Sequence, residues 1–261
     1  MLYNINMLLL FILLIILFVI YSITSKQYEN FKGHKFKYKY KFKLDKVYVV
    51  NLKQDLDRWK NFKLKAKKQN IKLTRFNAIL GKNVDKKSKN YIDRFGLKTK
   101  LKDGQIGCAL SHINLWNKIK KSKANTILIL EDDSIIPKNF WVNYQKYMAE
   151  LPKNWDMVLF GGSRIKGHKY SKHLLKPKKT VHGNWGTFAY LIKKSTATKL
   201  LNTCTHLYDT IDHHLNKRFY CQNKVFFANP QMIKHDYNAF SNINGEKRSK
   251  DAKKNNQVEI D

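Results

Sequence analysis

The chain has 261 residues, with 51 Lys and Arg against 19 Asp and Glu and a formal net charge of +32. Its composition, 43% hydrophobic and 13% aromatic, is sufficient for a folded core and excludes a wholly disordered chain. The three cysteines, Cys108, Cys204 and Cys221, are odd in number and include no Cys-x-x-Cys pair. A disulfide framework and a structural zinc site are therefore not expected.

The positive charge has two interpretations, a solvated lysine surface or attraction to anionic lipid or nucleic acid. Only six of the 51 cations are arginine, and the rest are lysine. Proteins that read nucleic acid rely on Arg for bidentate contacts. We therefore expect no nucleic-acid partner, and a basic adaptor for nucleic acid or membrane surfaces is the weakest of the functional alternatives.

The first segment, residues 1–25, is dominated by the uncharged run MLLLFILLIILFVIYSI at 7–23. Such a run is just long enough to cross a hydrocarbon core of about 30 Å. A cleaved signal peptide is the competing interpretation, but no basic residue precedes Lys26 and the run contains no Ala. The sequence therefore predicts a transmembrane helix, a single-pass membrane protein and membrane lipid as a partner.

Residues 26–45 form the next segment, in which Lys alternates with aromatic residues (FKGHKFKYKYKFKL at 31–44). This pattern fits an exposed strand or a juxtamembrane belt, and we predict a basic, aromatic stem. Lysines next to a span favour the cytoplasmic side of the membrane for the rest of the chain.

The third segment, residues 46–243, alternates short apolar runs with amphipathic ones, which predicts an α/β domain of three layers with a mainly parallel central sheet. Residues 244–261 hold few apolar groups and are predicted to form a disordered basic tail. In chain order the elements are a strand at 47–52, a helix at 55–69, a strand at 73–79, a polar loop or partly helical insert at 81–102, a helix from 103 to about 121, a strand at 126–130, a helix starting at Pro137, a strand at 156–160, a basic loop, a strand at 187–192, helices at 195–203 and 209–218, and a closing strand at 225–228.

Three contiguous acidic residues, Glu131, Asp132 and Asp133, directly follow the most apolar predicted strand, TILIL. Ligands of open α/β sheets bind at the carboxyl ends of the strands. Adjacent carboxylates repel each other unless a cation neutralises them, and oxygen ligands suit Mg²⁺ or Mn²⁺. A solvated acidic turn is the alternative, but it would not require this position after a buried strand.

Several segments together resemble glycosyltransferase family 25, the lipopolysaccharide and procollagen galactosyltransferase group. The segments are VYVVNLKQDLDRW, RFNAILGK, GQIGCALSHINLWNKI, ILILEDDSIIPKNF, GTFAYLIKKSTATKLL, IDHHL and NPQMIKHD, which span residues 46–237. The resemblance implies a GT-A-like fold, a divalent metal (Mn²⁺ or Mg²⁺) and an inverting transfer of a sugar from a sugar nucleotide. It also implies a domain that faces a secretory lumen, which conflicts with the lysine distribution, so the side of the membrane stays open.

The resemblance also suggests a role for each acidic and basic residue near the donor. Asp133 would contact the metal, Asp132 would hold the ribose or a metal-bound water, and Glu131 would orient the turn at the metal. His235 would be a late ligand of the metal or diphosphate. Asn51 and Leu52 would adjoin the nucleotide base. Arg58 would contact phosphate or simply lie on a helix surface, and both alternatives stay open.

Other candidates lie at the start of one helix and after the GTFAYLI block. Gly104 and Gly107 flank a helix start whose free N–H groups favour anions. Ser111 and His112 follow one turn later, and His112 is either a donor to phosphate or sugar or a structural residue. Gly186 and Thr187, with Trp185, are assigned to the sugar and acceptor site. Asp212 is the candidate general base, or else a charge partner of its helix N-terminus.

The sequence thus predicts a metal-dependent inverting hexosyltransferase that uses a UDP-sugar, and galactose or glucose is the first candidate for the sugar. The acceptor would be a hydroxyl group on a glycan, lipopolysaccharide or protein. A catalytically silent nucleotide- or glycan-binding protein of the same fold is the alternative, and a basic adaptor is the third.

Overall fold

The computed structural model describes residues 15–19, 21–22, 41–236, 240–241, 246–247 and 258–260. The chain divides into two compact units, Met1–Lys41 and Phe42–Asp261. Within the first unit, the described residues 15–19 and 21–22 are helical. Apart from Lys41, the other residues of that unit, including 26–40 of the predicted stem, lie outside the described residues.

The predicted transmembrane helix is wrong for the part of the chain that the structure describes. No helix there is long and apolar enough to cross a membrane. The predicted single-pass membrane location is therefore contradicted as well.

The second unit consists of strands and helices that alternate along most of its length. Its strands are β1 (Lys46–Leu52), β2 (Thr74–Ala78), β3 (Thr126–Glu131), β4 (Ser134–Ile135), β5 (Met157–Ser163), β6 (Ile165–Lys169), β7 (Leu174–Pro177), β8 (Trp185–Lys193), β9 (Val225–Ala228), β10 (Lys234–His235), β11 (Phe240–Ser241), β12 (Glu246–Lys247) and β13 (Val258–Ile260). Its helices are α1 (Leu56–Lys68), α2 (Lys89–Phe95), α3 (Asp103–Lys120), α4 (Phe140–Ala149), α5 (Lys194–Thr203) and α6 (Ile211–Arg218), with short 3₁₀ turns at Gly81–Asn83 and Tyr220–Gln222.

The described strands form one large sheet in the order β13-β6-β7-β9-β5-β8-β3-β1-β2, and two two-stranded ladders. The prediction of a mainly parallel sheet is wrong, because the sheet is mixed. Strands β1, β2 and β3 are mutually parallel, but β8 lies antiparallel between β3 and β5. Strand β9, predicted to close the sheet, lies inside it between β5 and β7.

Helices cover both faces of the sheet, as the predicted three-layer architecture requires. Alternate residues of β1 point to opposite faces, so Tyr48 and Val50 join one core while Val47 and Val49 join the other. Helices α2, α3, α5 and α6 pack on the first face. Helices α1 and α4 pack on the second.

Some predicted boundaries and connections differ from the structure. The basic stretch after β5 holds two strands, β6 and β7, rather than a loop. Helix α4 begins at Phe140, because Ser134–Ile135 pairs as a strand and Pro137 lies in the connection that follows. In the predicted disordered tail at 244–261, the described residues 246–247 and 258–260 are strands, and the rest lie outside the described residues.

The compact unit begins slightly before the predicted domain start at residue 46. Phe42 and Leu44 pack partly against the core. The backbone N–H of Phe42 donates to Gln145 Oε1 at 2.9 Å, and Gln145 Nε2 donates back to the Phe42 carbonyl at 2.7 Å. The last residues of the predicted stem therefore belong structurally to the domain.

Candidate active site

The carboxyl ends of β1 and β3 bring the predicted polar residues together. The two strands are adjacent and parallel, and their register pairs Val50 with Glu131. Asn51 therefore lies beside the acidic run that leaves β3. This edge is where open α/β sheets bind their ligands.

Asp132 is held by two side chains from the first part of the domain, and a third orients one of them. Arg58, on α1, forms an ion pair with Asp132 Oδ1. Asn51 Nδ2 donates to Asp132 Oδ2 at 2.5 Å, and Arg75 Nε donates to Asn51 Oδ1 at 2.7 Å. Burial raises the pKa of Asp132 to about 7, against the opposing effect of Arg58. The carboxylate is thus buried and depends on these partners.

Asp133 and His235 form a second pair, although they are 102 residues apart in the chain. The short ladder between β4 and β10 pairs Ser134 with His235 and so fixes the approach. The imidazole Nε2 of His235 lies 3.0 Å from Asp133 Oδ2, and both residues are buried. Arg58 lies 3.8 Å from the same carboxylate oxygen. This edge therefore concentrates two carboxylates, one imidazole and one guanidinium.

Glu131 points to a different set of partners. Thr187 Oγ1 donates to Glu131 Oε1 at 2.8 Å, and His112 Nε2 lies 3.3 Å from the same oxygen. His112 is fully buried, and its Nδ1 lies 2.8 Å from the hydroxyl of Tyr190. Glu131 is thus fixed through α3 and β8 rather than through the Asp133–His235 pair.

The hydrogen bonds around His112 fit one tautomer of its ring. Trp116 Nε1–H can only donate, and it does so to the Tyr190 oxygen at 2.9 Å. The Tyr190 hydroxyl can then donate its own proton to Nδ1 of His112. In that tautomer the Nε2–H faces Glu131. The hydrogen-bonded series Trp116–Tyr190–His112–Glu131 therefore links the buried core to Glu131 and fixes the orientation of these side chains.

Asp212 sits at the beginning of α6 and accepts three hydrogen bonds. Gly186 N–H donates to its Oδ2 at 3.0 Å, and Thr210 Oγ1 and His213 N donate to its Oδ1 at 2.6 and 3.0 Å. Gly186 has a φ of 98°, a conformation that favours glycine. Asp212 therefore ties the start of α6 to the start of β8.

Gly107 and Ser111 attach α3 to the loop after β2. Ser111 Oγ accepts from Ile79 N at 2.8 Å and donates to the Gly107 carbonyl at 2.6 Å. A Cβ on Gly107 would lie 2.6 Å from the Ile79 oxygen, so only glycine permits this approach. These two residues therefore allow α3 to pack closely against the loop after β2.

Two cavities open at this edge and share Cys108 and Glu131 in their lining. The first has a volume of about 90 Å³ and the second about 350 Å³. The first is lined by the predicted residues Asn51, Leu52, Arg58, Gly104, Ser111, His112, Glu131, Asp132 and Asp133. The second is lined by Glu131, Gly186, Thr187, Asp212 and His235.

Every predicted site residue except Gly107 thus lines one of two adjoining cavities. Their roles remain predictions, since the geometry gives their positions and not their functions. Sequence reasoning missed Arg75, which holds Asn51, and the pair Trp116 and Tyr190, which holds His112. The Trp116 position on the His112 helix, four residues later, was the one available signal for that pair.

The described part of the chain is an α/β protein with clustered carboxylates and two cavities at the carboxyl edge of its sheet. The family model for glycosyltransferase family 25 (LPS biosynthesis protein) matches residues 44–215. The chain belongs to glycosyltransferase family 25, which confirms the family predicted from the sequence and its assignment among the glycosyltransferases.

The chain is similar to several curated proteins. It is 27% identical over 179 residues to a procollagen lysyl hydroxylase and glycosyltransferase of Acanthamoeba polyphaga mimivirus, covering 61% of this chain and 20% of that protein. It is 26% identical over 177 residues to procollagen galactosyltransferase 1 of Danio rerio, covering 62% and 29%. It is 39% identical over 95 residues to a protein of Haemophilus influenzae described as a glycosyltransferase, covering 35% and 33%.

These matches span about a fifth to a third of the length of the curated relatives. Among solved structures, the chain is similar to a glycosyltransferase involved in the glycosylation of the major capsid of PBCV-1, with a TM-score of 0.42 and 7% identity over 74% of this chain and 92% of that one. At that TM-score the structural similarity has no bearing on function.

Proposed function

We propose that the chain is a metal-dependent, inverting glycosyltransferase that moves a hexose from a UDP-sugar to a hydroxyl group. Galactose and glucose are the first candidates for this hexose. The acceptor would be a glycan, lipopolysaccharide or protein. Family membership supports the reaction class. The observation that carries the proposal is the buried Asp133–His235 pair, 3.0 Å apart, beside Asp132 and two adjoining cavities.

The donor set of the Asp133–His235 pair fits a divalent cation. A carboxylate oxygen and an imidazole nitrogen, both buried and facing each other, suit Mn²⁺, and Mg²⁺ is the second choice. When bound, the cation would neutralise the charge that develops on the diphosphate leaving group. Glu131, which contacts Thr187 and His112, would orient the turn rather than join this pair.

The first cavity would hold one part of the nucleotide, because about 90 Å³ is too small for a whole nucleotide. Asn51 and Leu52 line it at the end of β1, and Gly104 lines it at the start of α3, where free backbone N–H groups favour phosphate. The Arg58 side chain is 24% exposed, and its guanidinium has five donors. It can therefore contact a phosphate while it still holds Asp132.

The second cavity would hold the acceptor. Its volume of about 350 Å³ suits a sugar or a small side chain, and Asp212, Gly186 and Thr187 line it. In an inverting transfer the acceptor oxygen attacks the anomeric carbon, the bond from that carbon to the diphosphate breaks, and UDP leaves. Asp212 would take the proton of the acceptor hydroxyl. The three hydrogen bonds to Asp212 fix its orientation for that task.

The test measures UDP release by the full chain from a panel of UDP-sugars with a sugar or hydroxylysine-containing acceptor, in Mn²⁺ or in chelator. We expect release from one donor that requires the cation and is lost in Asp133→Asn. Asp85→Asn is the matched control, because Asp85 is exposed and bonds only within its own turn.

The proposal fails if no UDP-sugar is turned over and UDP does not bind in the presence of Mn²⁺. Turnover that is equal in Mn²⁺ and in chelator would refute the metal dependence alone. Mn²⁺-dependent binding of UDP without turnover of any donor and acceptor pair would favour the catalytically silent alternative.

A further inference from the structure

A second group of metal-ligating side chains lies where the two cavities meet. Cys108 and His112 are four residues apart on α3 and so face the same side of the helix. Glu131 ends β3 directly opposite. One donor atom from each of the three, a sulfur, an imidazole nitrogen and a carboxylate oxygen, lies within 4.8 Å of the other two.

We propose that Cys108, His112 and Glu131 form a zinc site that is distinct from the Asp133–His235 pair. Three protein ligands with one open position are the arrangement of reactive rather than structural zinc sites. A thiolate and an imidazole favour Zn²⁺ over the harder Mn²⁺ and Mg²⁺. The two sites would therefore select different cations.

The distances require only a small contraction. Tetrahedral bonds of about 2.0 to 2.3 Å place neighbouring donor atoms roughly 3.3 to 3.8 Å apart. His112 Nε2 and Glu131 Oε1 are already separated by 3.3 Å. The remaining donor pairs lie within 4.8 Å, so they would have to shorten by about 1 Å on binding.

The surroundings of His112 suit a zinc ligand. Its Nε2 faces the other two donors, and its Nδ1 lies 2.8 Å from the Tyr190 hydroxyl. A ligating imidazole usually donates its second N–H to an acceptor, which fixes the ring. Zinc binding would move the imidazole proton from Nε2 to Nδ1. The two lone pairs of the Tyr190 oxygen would then accept from Nδ1 and from Trp116 Nε1, with the Tyr190 O–H rotated away from the ring.

The electrostatic environment favours a cation at Cys108. Burial and the charges of Glu131 and Asp212 raise the pKa of the Cys108 thiol well above its usual value. The same carboxylates attract a divalent cation. On binding, the thiol proton passes to solvent and a zinc–sulfur bond forms, so the negative charge of the thiolate is neutralised by the metal.

The position predicts an inhibitory effect, which rests on the proposed function. Cys108 and Glu131 line both cavities, so a zinc ion there would stand between donor and acceptor. Zinc bound at this point would therefore block transfer in the presence of saturating Mn²⁺.

The first test does not depend on activity. Co²⁺ replaces Zn²⁺ as a probe, since a thiolate bound to Co²⁺ gives a charge-transfer absorption in the near ultraviolet. The full chain and Cys221→Ser should show this band at one Co²⁺ per chain, and one equivalent of Zn²⁺ should abolish it. Cys108→Ser should lose it. Cys221 is the matched control because it is a free, exposed cysteine.

Two further variants distinguish loss of this site from misfolding and from an effect on the Asp133–His235 pair. Glu131→Gln, which conserves shape, should weaken Co²⁺ binding by about tenfold or more. Asp133→Asn should keep the band, because Asp133 is not a ligand of this site. Absence of the band in the unmodified chain, its persistence in Cys108→Ser, or its loss in Asp133→Asn would each overturn the proposal.

The second test measures inhibition of Mn²⁺-dependent UDP release by added Zn²⁺. The concentration for half inhibition should rise about tenfold or more in Cys108→Ser, relative to that variant's own uninhibited rate, and should not change in Cys221→Ser. An equal sensitivity in both variants would refute inhibition through this site. If no UDP-sugar is turned over, the proposed function fails, and the Co²⁺ spectrum still decides the zinc site.

Discussion

The hydroxyl of Tyr190 joins two buried polar groups, so its removal should be costly. Tyr190→Phe leaves Trp116 Nε1–H and His112 Nδ1 without their shared partner, and both residues are fully buried. Each unsatisfied buried group costs about 1–3 kcal/mol. Because part of that cost is relieved by relaxation, we expect a loss of about 2–4 kcal/mol in the free energy of unfolding.

Tyr220→Phe is the matched control. Tyr220 is equally buried, but its hydroxyl has no hydrogen-bond partner within the part of the chain that the structure describes. Deleting that hydroxyl should change stability by no more than about 0.5 kcal/mol, or should increase it. Both variants thus remove a buried tyrosine hydroxyl, which has hydrogen-bond partners at Tyr190 and none at Tyr220 among the described residues.

The assay is urea unfolding followed by circular dichroism, with thermal unfolding beside it. A loss of 2–4 kcal/mol lowers the melting temperature by roughly 4 to 16 °C in a domain of this size. If Tyr190→Phe and Tyr220→Phe lower stability equally, the hydroxyl of Tyr190 does not hold the chain from Trp116 to Glu131, and that part of the argument is refuted.

Three further predictions concern the site. Arg58→Lys should weaken UDP binding by about tenfold in calorimetry, because Lys lacks the planar fork that contacts Asp132 and reaches Asp133; unchanged affinity would place Arg58 outside the donor site. His235→Gln should raise the Mn²⁺ concentration for half-maximal activity by at least about tenfold, with little change at saturating Mn²⁺; an unchanged Mn²⁺ requirement would exclude His235 as a ligand. Gly161→Ala should raise the Mn²⁺ requirement as well, because the new Cβ would lie 2.3 Å from the Ile233 oxygen and displace the segment that carries His235. Gly107→Ala, equally crowded by backbone on α3, is its control and should lower stability without changing that requirement.

The sequence predicted the elements that have a strong apolar signal. The run TILIL became β3, and the segment predicted as a helix from 103 to about 121 became α3, which buries Ile106, Ile113 and Trp116. It did not predict β6, because IKGHK buries only Ile165 and Gly167 and otherwise carries polar residues. A strand with so few apolar residues lacks the long apolar run that identifies a buried strand.

Strand direction could not be predicted from the sequence, and the reason is physical. The predicted parallel sheet failed at β8, whose residues Phe188–Ile192 are all buried. A strand covered on both faces shows the same continuous apolar run whether its neighbours are parallel or antiparallel. Only the hydrogen-bond pattern distinguishes the two, and that pattern depends on the path of the whole chain.

The site shows the same limit at the level of single residues. The position of Glu131–Asp133 after an apolar strand was enough to predict a site at the edge of the sheet. The partner of each carboxylate was not predictable, because Asp132 faces Arg58, Asp133 faces His235 and Glu131 faces His112. Three consecutive residues therefore contact three distant segments, and only the turn after β3 decides which contacts which.

The segment that follows β9 builds the last part of the site. Gln231 bonds both ways with Gly162, and Ile233 N–H donates to the Phe160 carbonyl at 3.0 Å, which attaches the segment to β5. The β4–β10 ladder then sets His235 against Asp133. Because the pair joins residues 102 positions apart and forms only when the segment after β9 has docked, a cation bound there would bind the folded chain alone. Its binding free energy would therefore add directly to the stability of the domain.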